Sequence, residues 1–180
     1  MPELIVPTVT LHQAWLEAHR EWSSEHQDGS GLADGDEVES EDGFATFVTR
    51  LLSEADEAEV LPAGRVHCSY WWITEGRAVF GAIALRHELN DALRDNGGHI
   101  GYSIRPSARR RGLARWALDQ VVRQASSMGI TQVLLTCAAD NEASRRTIEA
   151  AGGVRVDVRD ARPDGVRRVW ITSAGGGYGA

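Results

Sequence analysis

At 180 residues, with 42% hydrophobic and 25% charged positions, the chain has the size and composition of one soluble globular domain with a sizeable core. No run approaches the roughly 18 apolar residues of a membrane span, and a formal net charge of −7 argues against bulk nucleic-acid binding. There is no lysine, so arginine carries all the permanent positive side-chain charge, and a lysine-dependent phosphate loop is excluded.

Leu4-Ile5-Val6 before Pro7 predicts a short first strand. Residues 11–22 read as a helix with Trp15, Ala18 and Trp22 on one face. Between Glu21 and Glu59 acids crowd the chain and Arg50 is the lone arginine. Within that stretch residues 28–42, rich in Gly, Ser and acids, predict a mobile loop. Residues 44–55 predict a second helix with Phe47, Leu51 and Leu52 inward. Residues 66–73 and 78–85 read as strands joined at Glu75-Gly76, and residues 89–93 as a helical turn. Residues 98–104 predict the fourth strand, which Pro106 stops. Leu113, Ala117 and Val121, with Ala114, Leu118 and Val122, mark a helix from about Gly112 to Met128. A fifth strand over 132–137 leads to a helix starting near Asn141 and stopped by Gly152-Gly153. Residues 154–158 and 166–171 predict a closing hairpin around Pro163-Asp164-Gly165. The reading is a single domain over 1–172, with 173–180 a frayed Gly-rich tail.

Cys68 and Cys137 are far apart and make no metal-ligand spacing, so each is expected to be a buried structural thiol and no metal is expected. The start Met1-Pro2-Glu3 lacks a basic and then apolar segment. A cytoplasmic location is the expectation.

The run Arg109-Arg110-Arg111-Gly112-Leu113-Ala114 lies between a strand and a long helix. The first amides of a helix have no intrahelical carbonyl partner, and the dipole is positive at that end. Gly112 and Ala114 are small enough to let a phosphate approach the backbone, so the run is a candidate pyrophosphate cradle. The competing reading is a basic helix cap on a solvated face.

The order strand, Arg109-to-Ala114 loop, helix, strand and Asn141-x-x-Ser144 before Gly152-Gly153 resembles the core of the GNAT superfamily of acyl-CoA-dependent N-acetyltransferases, in a bacterial subgroup of unassigned substrate. The resemblance implies an α/β (α+β) fold, with a mixed, mostly antiparallel central sheet flanked by helices and splayed fourth and fifth strands. It implies acetyl-CoA as cofactor, its pyrophosphate on the amides of Arg110, Arg111, Gly112, Leu113 and Ala114, and Arg109 and Arg115 adjacent. The pantetheine arm would pair with the strand edge from Tyr102 to Ile104. Asn141 resembles a pantetheine contact and Ser144 a second polar contact, although both also fit helix-cap and helix-surface roles. Many members place a Tyr seven residues after the Asn to protonate the thiolate. Here that position is Ile148, so Ser144, Tyr102 or water is left for the task.

The implied reaction moves an acetyl group directly to a primary amine. An alkylamine has a pKa of about 10 and must lose a proton before attack. His99, on the fourth strand, is the first candidate base, with His87 and Glu88 second. Trp71, Trp72 and Trp170 are candidates for an acceptor pocket, but adjacent strand residues face opposite ways, so at most one of Trp71 and Trp72 can serve. The acceptor is expected to be a small-molecule or peptide amine, with a protein N-terminal amine as alternative and a homodimer compatible. A sensor that binds acyl-CoA without turnover is the rival from another class. No membrane or nucleic-acid partner is expected.

Overall fold

The computed structural model describes residues 1–22, 26–161 and 165–173, with the backbone alone from residue 156 onward. The sheet is built on a hairpin of alternating apolar residues, β2 (Cys68–Glu75) and β3 (Ala78–Arg86), paired from Cys68 opposite Arg86 to Glu75 opposite Ala78. β1 (Glu3–Ile5) pairs outside β2 and β4 (Ile100–Ile104) outside β3. A second sheet runs β5 (Gln132–Ala138), β7 (Gly165–Ser173), β6 (Val154–Ala161). Every pairing between these strands is antiparallel, and the sheet divides between β4 and β5.

Side-chain alternation sorts the core into two layers. On one face α1 (His12–Arg20) and α2 (Glu41–Glu54) cover Trp72, Val79 and Ala82. On the other, α4 (Leu113–Ser127) sets Leu113, Ala117, Leu118, Val121 and Ala125 against Ile73, Ile83, Leu85, Ile100 and Ile104. α5 (Glu142–Ala150) follows β5 and packs on α4, and the short α3 (Asp91–Asp95) precedes β4. The tryptophan pair divides as alternation requires. Trp72 is 1% exposed, among Trp15, Phe44 and Phe47, and so lines no acceptor pocket. Trp71 is half-buried against the opposite layer. The side chain of Trp170 and the hairpin residues Pro163 and Asp164 lie outside the described residues, as does the tail from 174 onward.

The second helix begins at Glu41, three residues before the hydrophobic pattern predicts. Ser40 caps it, accepting the Gly43 amide at 3.1 Å, and Glu41 and Asp42 favour its positive end. Leu52, expected inward, is 43% exposed, because the buried stripe is Phe44, Phe47, Val48 and Leu51.

The acidic segment before α2 packs inward at Ser30 and Val38, where composition alone suggested a solvated loop. His12 Nε2 lies 2.8 Å from the Val38 carbonyl, and its ring stacks on Phe44 at 4.2 Å. The anchor is Arg50. Its Nη2 donates to the Gly31 carbonyl at 2.8 Å and to Asp36 at 2.6 Å, while Nη1 donates to Glu54 at 2.8 Å. Glu54 is buried, and also accepts from Arg65 at 2.5 Å and from the Tyr70 hydroxyl at 2.6 Å. One guanidinium therefore ties the loop to the helix while helping to neutralise a buried carboxylate.

Arg50→Met removes these bonds but keeps the aliphatic stem. The expected cost is about 1.5–3 kcal/mol, since hydrogen bonds to charged groups are lost and Glu54 stays buried. Urea unfolding measures the loss, and limited proteolysis should show earlier cleavage within residues 28–40.

Candidate functional site

The cleft between the two sheets is closed at one end by a clasp. His99 donates its amide to the Leu134 carbonyl at 2.7 Å, and the Leu134 amide donates back to His99 Nδ1 at 2.9 Å. Beside them the Gly97 amide donates to Thr136 Oγ1 at 3.0 Å, and Gly98 bridges Leu135. Gly98 has φ +63°, and a Cβ there would lie 2.3 Å from the Leu134 carbonyl oxygen, so only glycine fits this crossing. Beyond the clasp β4 pairs, among the described residues, only with β3. Arg86 donates to the His99 carbonyl and Arg105 to the Phe80 carbonyl, both at 2.8 Å. The His99 carbonyl, the amides and carbonyls of 101 and 103 and the amide of 105 therefore face β3, while the His99 amide faces β5 and the amides and carbonyls of Ile100, Tyr102 and Ile104 face the cleft.

This geometry recasts His99. In the neutral ring Nδ1 already accepts a backbone proton, and Nε2 carries the hydrogen. Burial lowers its pKa, and Arg94 and Arg86 lower it further. His99 joins β4 to β5, and its free nitrogen has no lone pair to offer as a base. His87 sits at the end of β3 and turns towards β2, its Nε2 2.8 Å from Ser69 Oγ, with its pKa lowered by burial. Its Nδ1 lies 3.3 Å from Glu57 without making a hydrogen bond. Glu88 is exposed between β3 and α3. The structure does not bring these three together.

At the far end of β4 a 3₁₀ turn (Pro106–Ala108) leads into the arginine run. Arg110 has φ +65°, the one non-glycine residue with positive φ among those described. Gly112 follows at φ +77° and occupies the N-cap of α4 with no side-chain cap. Trp116 donates to the Gly112 carbonyl at 3.0 Å, so the helical ladder starts there and the preceding amides lie outside it. Among the described residues nothing lies within 4 Å of where a Gly112 Cβ would stand. The turn offers directed donors, a positive helix end and open space.

The arginines divide their work. Arg109 donates from Nε to the Ile104 carbonyl at 3.2 Å and stacks over Trp22 at 5.2 Å. Arg111 pairs with Glu75 at 2.7 Å and lies over Phe80 at 4.7 Å. Arg115 pairs with Asp119 at 2.9 Å. Arg110 is exposed and makes no ion pair among the described residues.

Tyr102 and Ser144, considered separately in the sequence, meet across the cleft with their hydroxyl oxygens 2.9 Å apart. Ser144 is placed by Asn141, whose side-chain carbonyl accepts the Ser144 amide at 3.0 Å and caps α5. The cap uses that oxygen and leaves the NH₂ group of Asn141 uncommitted to it. Burial pushes the Tyr102 phenol up to about 12. Ile148 is wholly buried in the core and offers no proton donor there.

Two features escaped the sequence reading. Glu21, at the end of α1, accepts from Arg105 Nε at 2.9 Å, from Arg105 Nη2, and from the Ser107 amide and hydroxyl at 3.0 and 2.9 Å. Arg105 and Ser107 hold its carboxyl at about 2. This clamp ties α1 to the stretch that begins the arginine turn. The second is a contact of glycine on glycine. A Cβ on Gly29 would lie 2.2 Å from the Gly101 carbonyl oxygen, so the acidic segment lies directly on β4. Gly29 and Gly31 signal a turn, but nothing local signals what the turn touches.

A family model for the acetyltransferase (GNAT) domain matches residues 7–154. Among curated proteins no sequence matches. Solved structures share the fold at low identity. RimJ of Mycobacterium smegmatis, in complex with a CoA disulfide, aligns at TM-score 0.73 and 15% identity, over 96% of this chain and 82% of its own. The ribosomal-protein-S5-alanine acetyltransferase of Vibrio fischeri aligns at 0.71 and 10%, over 97% and 94%. The microcin C7 self-immunity acetyltransferase MccE, in complex with acetyl-CoA and AMP, aligns at 0.68 and 13%, over 96% and 92%.

His99→Ala tests the clasp. Leaving the Leu134 amide unpaired should cost about 1–3 kcal/mol in urea unfolding. Because the folded pKa of His99 lies below its ordinary 6.5, the unfolded chain binds more protons, and the clasp loses stability as pH falls below that value. The variant should lack this part of the acid sensitivity when melting temperature is followed against pH.

Proposed function

The chain belongs to the acetyltransferase (GNAT) domain family, and on that premise we propose that it transfers the acetyl group of acetyl-CoA directly to a primary amine of a small molecule or peptide. The observation that carries this reading is the turn at residues 110–112. It combines backbone strain at Arg110, a left-handed uncapped Gly112 and open space before the first amides of α4. Strain of that kind gathers at sites that bind, and the turn fits a pyrophosphate.

The residues take the following roles. The amides of residues 110–114 hold the pyrophosphate, and Arg110 adds the uncommitted charge. Arg109 and Arg111 shape the turn from behind, through Ile104 and Glu75. The cleft-facing main chain of Tyr102 and Ile104 pairs with the pantetheine arm as an added strand would, and the Asn141 NH₂ group supplies a further contact. Acetyl-CoA brings an acetyl group already activated as a thioester. A cleft-facing amide of β4 steadies the carbonyl oxygen as it gains charge. The Ser144 hydroxyl faces the sulfur that leaves. The acceptor amine enters on the side where Gly29 lies over Gly101, beside the acids of residues 28–42. His99 holds the cleft shut behind the reaction and does not serve as base.

A protein N-terminal amine is the second reading for the acceptor, supported by likeness to the S5-alanine enzyme. Cys68 and Cys137 are both buried thiols, which suits a reducing compartment, and we place the action in the cytoplasm.

Gly112→Glu sets a carboxylate where the pyrophosphate would sit. It should weaken acetyl-CoA binding by roughly 100-fold, about 2.8 kcal/mol, in calorimetry, with the circular dichroism spectrum retained. Unchanged affinity in a folded variant would remove the cradle. Release of CoA thiol from acetyl-CoA, followed across polyamines, amino acids, aminoglycosides and short peptides, should be stimulated by one of these classes. Silence across the panel, with acetyl-CoA bound, would favour a protein acceptor or a sensor.

A further inference from the structure

The hydroxyl of Tyr102 has a partner that packing alone does not require. Its ring lies against the α4 layer of the core, where phenylalanine would fill the same volume. Its oxygen reaches across the divided sheet to Ser144 Oγ at 2.9 Å and to the Ser144 carbonyl at 3.4 Å. A buried phenol needs a partner, but the partner it has found stands on the opposite wall of the cleft, one turn into a capped helix. The site therefore holds a hydroxyl whose orientation is set from outside its own element.

A serine hydroxyl has one proton to give and lone pairs to receive. If Tyr102 donates to Ser144 Oγ, the serine proton must turn to another acceptor. Resting on the acetyl-transfer reading above, we propose that Tyr102 is a positioning residue, whose O–H donates to Ser144 Oγ and directs the Ser144 proton onto the sulfur of the bound cofactor. As the new C–N bond forms and the C–S bond breaks, the electron pair of that bond stays on sulfur. Ser144 donates a hydrogen bond to this thiolate and keeps its proton. The thiolate is later neutralised through solvent by the proton that the acceptor nitrogen has lost. Tyr102 also keeps its proton throughout, consistent with the burial that raises its pKa. The pair thus supplies stabilisation without a dedicated acid at position 148.

The test needs no acceptor amine. CoA is bound to the wild-type chain and its thiol is titrated by the ultraviolet absorbance of the thiolate. A directed hydrogen bond lowers the bound thiol's pKa below that of free CoA. Tyr102→Phe and Ser144→Ala should each raise it by roughly one unit, a tenfold change in the ionisation constant. The double variant should raise it no further, because the two residues act as one unit. With a working amine, Tyr102→Phe should lower kcat roughly tenfold and leave KM for acetyl-CoA nearly unchanged. A bound thiol that titrates as free CoA does, or single effects that simply add, would overturn the proposal and leave the transfer reading standing. Failure of the wild-type chain to bind CoA would sink both.

Discussion

Two hydrogen bonds between His99 and Leu134 decide the shape of this molecule. They are the last point at which the two halves of the sheet are joined before the strands part. A strand edge normally has to be paired, covered or charged. Here the clasp pins one end and leaves the cleft-facing groups of β4 without a neighbouring strand among the described residues. Every feature of the proposed site is measured from that opening: the arginine turn at its far end, the hydroxyl pair across its width, and the glycine contact on its acceptor side.

Arginine does the structural and the binding work in a chain without lysine. A planar fork with five donors can satisfy several acceptors at once, where an ammonium acts as a point charge. Arg50 joins loop, helix and buried carboxylate, and Arg105 joins α1, the β3 carbonyl at Val79 and the entry to the turn. Arg109 and Arg111 are spent on a carbonyl, a carboxylate and two aromatic faces. A run that the sequence leaves open between a phosphate cradle and a solvated basic face has partners within the chain at Arg109 and Arg111, while Arg110 is exposed with no ion pair among the described residues.

The hairpin of β2 and β3, the helix after Gly112 and the cap at Asn141 were legible because each rests on local rules: alternation, helical repeat and a side chain bonding its own backbone. The early start of α2 was also local, written in Ser40-Glu41-Asp42, but the hydrophobic pattern drew attention to Phe44 instead. The base assignment was not legible. A histidine on a strand reads as a base only if its nitrogens are free, and the amide that occupies His99 Nδ1 comes from Leu134, 35 residues away. The meeting of Tyr102 and Ser144 spans 42 residues and depends on how two strands diverge, which no local pattern records. The inward packing of the acidic segment was hidden for the same reason. Composition describes solvation, whereas Val38 and Asp36 are placed by contacts with His12 and Arg50.

The glycine pair at 29 and 101 separates two properties that enzymes often entangle. Backbone lies on backbone, so the height of the covering segment above β4 is set by the absence of two side chains and not by the chemistry of the neighbours. Exposed Asp28, on one side of Gly29, can change in charge and size while that spacing stays constant, whereas Ser30 on the other side is buried. Selectivity for a partner and the reach of the reacting atoms can then be inherited as independent traits, one written in loop side chains and the other in a shim that has none.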